Sequence, residues 1–173
     1  MYYLFAPWRM EYILSNKDRK CFLCEKFKET RDDLNKVLYR SSSTIVLLNQ
    51  YPYNNGHLMV APKLHISELS LMSPKETCEL FLVVQATARI LNYKYKPDGL
   101  NIGINIGKAG GAGLVDHLHV HLLPRWEGDS NFMTSIGDTR TIPESLERTY
   151  KILLPYFRNP KFFQNLEILS KDD

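Results

Sequence analysis

Cysteine is scarce in this chain, three in 173 residues. That is too few for a disulfide framework, and it fits a reduced compartment. Long apolar runs are missing as well. No stretch is long and apolar enough to span a membrane. The opening "MYYLFAPWRMEYIL" lacks the basic start and uninterrupted apolar run of a signal peptide. No membrane partner is expected, and a cytoplasmic location is the default expectation. Charge of one sign is hardly in excess. A net charge of +3 makes no case for nucleic acid as a partner, though it allows a locally basic site for a small polyanion. There is no internal repeat and no low-complexity tract, which sets repeat architectures aside.

What remains is ordinary globular composition, 44% hydrophobic and 24% charged, in a length that suits one domain. A single domain over 1–173 is expected. Its core would lie at about 20–145, preceded by an ordered N-terminal arm and followed by a C-terminal helical extension. "TIVLLN" (44–49) and "HLMVAP" (57–62) read as strands joined by the turn-rich "QYPYNNG". Ser73, Pro74 and Glu76 form the capping-box start of a long helix. Leu80, Phe81, Val84, Ala88 and Leu91 then mark its apolar face. "LNIGINIG" (100–107) alternates like a strand, "KAGGAG" is a loop, and a last helix is expected over 143–155 with Pro143 near its start. Neighbouring strands interrupted by one long helix predict an α+β fold with a mainly antiparallel sheet. Cys78, inside the long helix, reads as packing only. Trp8 and Trp126 read as core or interface residues.

Only five histidines occur in the chain, and three of them alternate in "DHLHVHLLPRW" (116–126). On a strand, His117, His119 and His121 would line one face, with Leu118, Val120 and Leu122 on the other. Two chemistries suit such a row. Histidines at i and i+2 can share a metal ion, but His117 and His121 would sit roughly 13 Å apart at ~3.3 Å rise per residue, too far for one ion to take all three. Alternatively, neutral imidazole is a good nucleophile toward phosphorus near pH 7. The loop "GKAGGAGLV" just upstream can offer bare backbone N–H groups to phosphate oxygens. Loop, strand and histidines together describe a phosphoryl-group site.

"DHLHVHLLPRW" resembles the His-φ-His-φ-His-φ-φ signature of the histidine-triad (HIT) superfamily. The likeness extends through "LLNQYPYNNGHLMVAPKLHISEL", "GLNIGINIGKAGGAGLVDH" and "PRWEGDSNFM", covering about residues 6–145. "YPYNNGHLMV" and "PRWEGDSNF" are most similar to the fragile-histidine-triad branch and its diadenosine tetraphosphate phosphorylase relatives. This resemblance implies a HIT-like fold and a nucleotidyl transferase or hydrolase acting on dinucleoside polyphosphates, with phosphate or water as acceptor. It makes His119 the nucleophile that carries AMP and sets His121 against the α-phosphate oxygens. Backbone groups of Ala112, Gly113, Leu114 and Val115 would hold phosphate. Asn49 would lie near the ribose, and Asn105 would stand where the branch has a phosphate-contacting glutamine. His57 would orient the triad. One position departs from the pattern: Gly113 stands where these enzymes commonly carry Gln or Ser, in a loop one residue longer. Leaving-group assistance would then come from elsewhere, with Lys108 a candidate.

"CFLC" supplies half of a tetrahedral zinc site through Cys21 and Cys24. Relatives with a similar pair complete it from the positions of His65 and His117, which implies a structural zinc ion with four protein ligands. The resemblance also implies a homodimer using the long helix and a sheet edge. The rival functions are a nucleoside phosphoramidate or adenylylsulfate hydrolase, a nucleotide-binding sensor and, weakest, a metal-dependent hydrolase with the triad as ligands.

Overall fold

A computed structural model describes residues 20–129 and 142–164. The elements in order are α1 (Phe22–Lys28), α2 (Asp32–Asn35), β1 (Val37–Arg40), β2 (Thr44–Leu48) and β3 (Leu58–Pro62), then α3 (Pro74–Tyr95), β4 (Gly99–Ile104), β5 (Val120–Arg125) and α4 (Leu146–Phe157). Short 3-10 turns cover Leu69–Leu71 and Pro160–Phe162. The five strands form one sheet in the order β1-β2-β3-β5-β4, and every neighbouring pair is antiparallel. The expected α+β architecture is present. The expected N-terminal arm, Trp8, the end of "PRWEGDSNFM" and the chain beyond residue 164 lie outside the described residues.

Over β2 and β3 both faces of the sheet are covered, so these strands are buried along their whole length and read as nearly unbroken apolar runs. On one face, Leu38, Val46, Leu48, Leu58, Val60, Leu118, Val120 and Leu122 pack with α3, α4 and Phe163 in a single cluster. On the other, Leu23 of α1 packs against Val37, Ile45, Leu47, Met59 and Ala61. The histidines share this second face. His121 stands opposite Met59 on one side and Gly103 on the other, in the middle of the sheet.

α3 begins where the sequence predicts. The Ser73 side chain accepts from the Glu76 N–H, and the Glu76 carboxylate accepts from the Ser73 N–H. Its buried seam is Leu80, Val83, Val84, Thr87, Ile90 and Leu91, with Ala86 beside it. Phe81 was expected in that face but is 42% exposed. It lies one residue, about 100° around the helix, past Leu80, and so points away from the sheet. Cys78, expected to pack, is also exposed. Burying each Leu, Ile or Val contributes roughly 1.5–3 kcal/mol, against about 1 for the cap. The cap therefore sets where α3 starts, and the seam holds it to the sheet.

Three boundaries differ from the sequence expectation. The last helix runs over Leu146–Phe157 rather than 143–155, because Ser145 caps it by accepting from the Arg148 N–H. It continues through Pro155. β4 stops at Ile104, where the chain turns into the glycine loop. The strand carrying the histidines starts only at Val120, because the residues before it leave the ladder for other partners. The Leu118 N–H bonds to the Ile66 carbonyl, and the His117 ring bonds to the Pro62 carbonyl. The alternation of faces nevertheless continues upstream of the strand.

Two substitutions separate these effects in urea denaturation. Ser73→Ala is expected to lower stability by about 1 kcal/mol. Ile90→Ala, which empties a fully buried position, is expected to cost about 2–5 kcal/mol. Equal losses would contradict the division of labour between cap and seam.

Candidate active site and metal centre

His57 and His119 are fixed by backbone groups that can only donate or only accept, which assigns their protons and through them that of His121. His119 Nδ1 lies 2.8 Å from the carbonyl oxygen of His117. A carbonyl only accepts, so Nδ1 carries the proton and Nε2 keeps its lone pair. His57 Nδ1 receives the Tyr53 backbone N–H at 3.1 Å, so its own proton is on Nε2. That proton is donated to His121 Nδ1 at 2.9 Å. His121 must therefore carry its proton on Nε2. The His119 and His121 rings stand edge to face, 4.8 Å between centroids. One neighbour offers a lone pair and the other an N–H donor.

Burial keeps this group neutral. It lowers the pKa of His119 from the usual imidazole range. For His57 and His121, burial and the neighbouring imidazoles lower it to about 3 and about 4. His57 and His119 are buried, and His121 is partly open.

Asn49, expected near the ribose, lies against His57. Its side-chain nitrogen is 3.4 Å from both ring nitrogens of His57, and its oxygen accepts from the Tyr51 N–H. Asn105 reaches across the glycine loop to the Gly111 carbonyl at 3.4 Å. In that loop Gly111 has φ +84, and at Gly110 a side chain would run into the Ile106 carbonyl, so both positions require glycine. Of the four residues expected to offer backbone groups to phosphate, Ala112 already spends its N–H on the Gly107 carbonyl. Leu114 packs against the apolar patch around Leu23.

Cys21, Cys24, His65 and His117 converge, with all four ligand atoms within 4.8 Å of one another. The contacts are 3.2 Å from Cys21 Sγ to His117 Nδ1, 3.2 Å from Cys24 Sγ to His65 Nδ1, 3.5 Å from Cys24 Sγ to His117 Nδ1 and 3.3 Å between the two Nδ1 atoms. Tetrahedral ligands at zinc distances stand about 3.3–3.8 Å apart, so the cluster has the right size for such an ion. His117 Nε2 lies 2.8 Å from the Pro62 carbonyl and must donate to it, which leaves the Nδ1 lone pair facing the thiols. Burial and the adjacent Cys21 push the Cys24 thiol up, a direction that a bound cation reverses. The alternatives read from the sequence thus divide within one segment. His117 faces the Cys21, Cys24 and His65 cluster, while His119 and His121 face each other and His57.

A family model described as the HIT domain matches residues 31–128. The chain belongs to the HIT family. Among HIT relatives, the AP-4-A phosphorylase of Mycobacterium tuberculosis is 37% identical over 158 residues, covering 87% of this chain and 81% of that protein. The bis(5'-adenosyl)-triphosphatase of Saccharomyces cerevisiae is 31% identical over 104 residues, 60% of this chain and 48% of its own length. Among solved HIT structures, a zinc-bound histidine triad family protein from Mycobacterium smegmatis superposes with a TM-score of 0.63 at 26% identity, covering 86% of this chain and 96% of its own.

Several residues at the site carried no signal that the sequence reading used. "QYPYNNG" read as turn chemistry only, yet Tyr53 supplies the N–H that fixes His57, and its ring lies 4.7 Å from that of His57. Pro62 contributes a carbonyl, which no side-chain pattern can reveal. Arg125 and Asp129 form a two-bonded pair at 2.7 and 2.8 Å that their residue types alone do not predict.

The lowered pKa of His57 has a consequence for stability. Unfolded, the imidazole takes up a proton near pH 6.5; folded, it does so only near 3. Its contribution is present above pH 6.5 and is lost as pH falls toward 3, because the unfolded state then binds the extra proton. Denaturation midpoints measured from pH 7.5 down to 4.5 should fall with a shallower slope in His57→Gln. An unchanged slope would remove His57 as a source of the acid sensitivity.

Proposed function

We propose that this HIT protein cleaves dinucleoside polyphosphates such as diadenosine tetraphosphate through a covalent AMP adduct on His119. The observation that carries the reading is the proton arrangement. His119 has Nδ1–H tied to the His117 carbonyl and a lone pair on Nε2, beside a His121 whose Nε2 carries a proton. The likeness to relatives named for AP-4-A phosphorolysis and bis(5'-adenosyl)-triphosphate cleavage supports the substrate class.

In this reading Nε2 of His119 attacks the α-phosphorus. The nitrogen–phosphorus bond forms as the bond to the bridging oxygen breaks, and ATP leaves with the electron pair. The ring gains positive charge, which the His117 carbonyl stabilises through Nδ1–H. His121 donates its Nε2–H to an α-phosphate oxygen as the five-coordinate transition state forms. Inorganic phosphate then attacks the same phosphorus, the nitrogen–phosphorus bond breaks, and ADP departs; water as acceptor would give AMP. Phosphate is the proposed acceptor, by likeness to the mycobacterial phosphorylase. Backbone groups of Gly113, Leu114 and Val115 would hold phosphate oxygens, with Ala112 shaping the turn. Asn49 and Asn105 would contact ribose and phosphates. Gly113 has no side chain to assist the leaving group, and Lys108 is the proposed substitute.

Zinc is the proposed ion for the Cys21, Cys24, His65 and His117 cluster. When bound, it supplies a structural cross-link and no open coordination position. His117 would pass that rigidity to the carbonyl that holds His119. The whole chain is proposed as one domain, with α4 belonging to its main core. It is also proposed as a cytoplasmic homodimer that uses the exposed edge strand β4, where Ile102 is 47% exposed, together with the outer face of α3.

With diadenosine tetraphosphate and millimolar phosphate, the expected products are ADP and ATP, resolved by ion exchange. His119→Asn should lower kcat by at least about a thousandfold. Turnover of an adenosine phosphoramidate alone, or full activity in the variant, would overturn the reading. Metal analysis should find about one zinc per chain. Cys24→Ser should lose it together with thermal stability, while brief EDTA treatment of the folded wild type leaves turnover intact. Immediate and complete loss with EDTA, without unfolding, would instead make the ion a participant.

A further inference from the structure

Nothing so far explains why the Tyr53 N–H faces His57 at all. Tyr53 lies in the loop between β2 and β3, which is closed at its base by the Asn49 N–H on the His57 carbonyl. The Asn54 side chain ties the loop sideways to β5. Asn54 Nδ2 donates to the Pro124 carbonyl at 3.1 Å and to the Asp129 carboxylate at 2.8 Å. Its amide cannot turn over, because its oxygen already accepts from the Asn55 N–H at 3.0 Å. Asp129 is itself held by both guanidinium contacts of Arg125 and by the Trp126 N–H at 3.2 Å. Its side chain is only 11% exposed. Pro124 and Arg125 belong to the strand that carries His121. The tie therefore runs from one end of the relay to the other.

We propose that Asn54 and Asp129 are positioning residues: they hold the 49–57 loop so that the Tyr53 N–H meets His57 Nδ1, and they thereby set which nitrogen of His121 carries the proton. The argument rests on the reading that His121 donates to phosphate. If the Tyr53 N–H moves away, His57 can place its proton on Nδ1 and turn a lone pair toward His121. His121 must then protonate Nδ1, leaving a lone pair on Nε2. A lone pair facing a phosphate oxygen repels it where an N–H would have bonded. The loss falls on the transition state more than on binding, so kcat should suffer and KM should not.

The test uses the full chain with its metal. Asn54→Asp keeps the size of the residue and the acceptor for the Asn55 N–H, but removes both N–H donors. Imidazole nitrogen NMR without substrate reads the tautomers directly. In the wild type, His57 should be protonated on Nε2 alone. In Asn54→Asp it should show a mixture, with kcat on diadenosine tetraphosphate down about tenfold and KM within about twofold. A single His57 tautomer in Asn54→Asp overturns the proposal even if the melting temperature falls, and so does a mixture with unchanged kcat. If Asn54→Asp does not fold, Asp129→Asn alone is read by the same criteria. A wild type inactive on this substrate whose tautomers still mix in the variant would sink the substrate reading and leave the positioning role standing.

Discussion

His117 is bound through three different groups. Its Nε2–H goes to the Pro62 carbonyl, its Nδ1 faces two thiols and His65, and its own carbonyl takes the proton of His119. Movement of this residue would reach the Cys/His cluster, the sheet and the candidate nucleophile together. The carbonyl contact is the one on which the proposed chemistry depends. A side-chain acceptor could rotate away, whereas a backbone acceptor flanked by a clamped ring cannot. His119 then has one proton position, and its other nitrogen keeps a free lone pair.

Among the described residues, no carboxylate shifts the imidazoles of this candidate site. Among the described residues, burial and the other imidazoles depress the pKa values of His57 and His121, and burial alone lowers that of His119. A carboxylate would raise such a pKa and leave the ring protonated at neutral pH. Directionality comes instead from backbone groups with fixed roles. The sheet supplies the rigidity this requires: β5 is paired on both sides, and its apolar residues are packed under α3 and α4.

Much of this was legible in the sequence because it depends on periodicity and on residue type. Alternation put Leu118, Val120 and Leu122 on one face and the histidines on the other, and a capping box marked the start of α3. The pairing of "CFLC" with His65 and His117 came from resemblance; the spacing of the residues alone did not give it. Phe81 and Cys78 were misjudged because a helix seam is narrower than a hydrophobicity pattern suggests. The early end of β4 and the late start of β5 depend on which carbonyls lie nearby, and composition does not encode that. The same holds for the Tyr53 N–H and the Pro62 carbonyl, since a backbone group is the same at every residue and gains its role only from folding.

The placement of β5 between β3 and β4 also bears on how the molecule assembles. Met59 and His121 are neighbours across the sheet, yet α3, β4 and the glycine loop separate them along the chain. The first three strands can pair through short loops, whereas β5 must insert after everything before it has been made. Closing so long a loop is entropically costly until the long-range contacts form, and such pairings are slow. Ring contacts between His57 and His121 would therefore belong to the last part of folding. A nascent or partly unfolded chain would carry every histidine of the site and none of its proton arrangement.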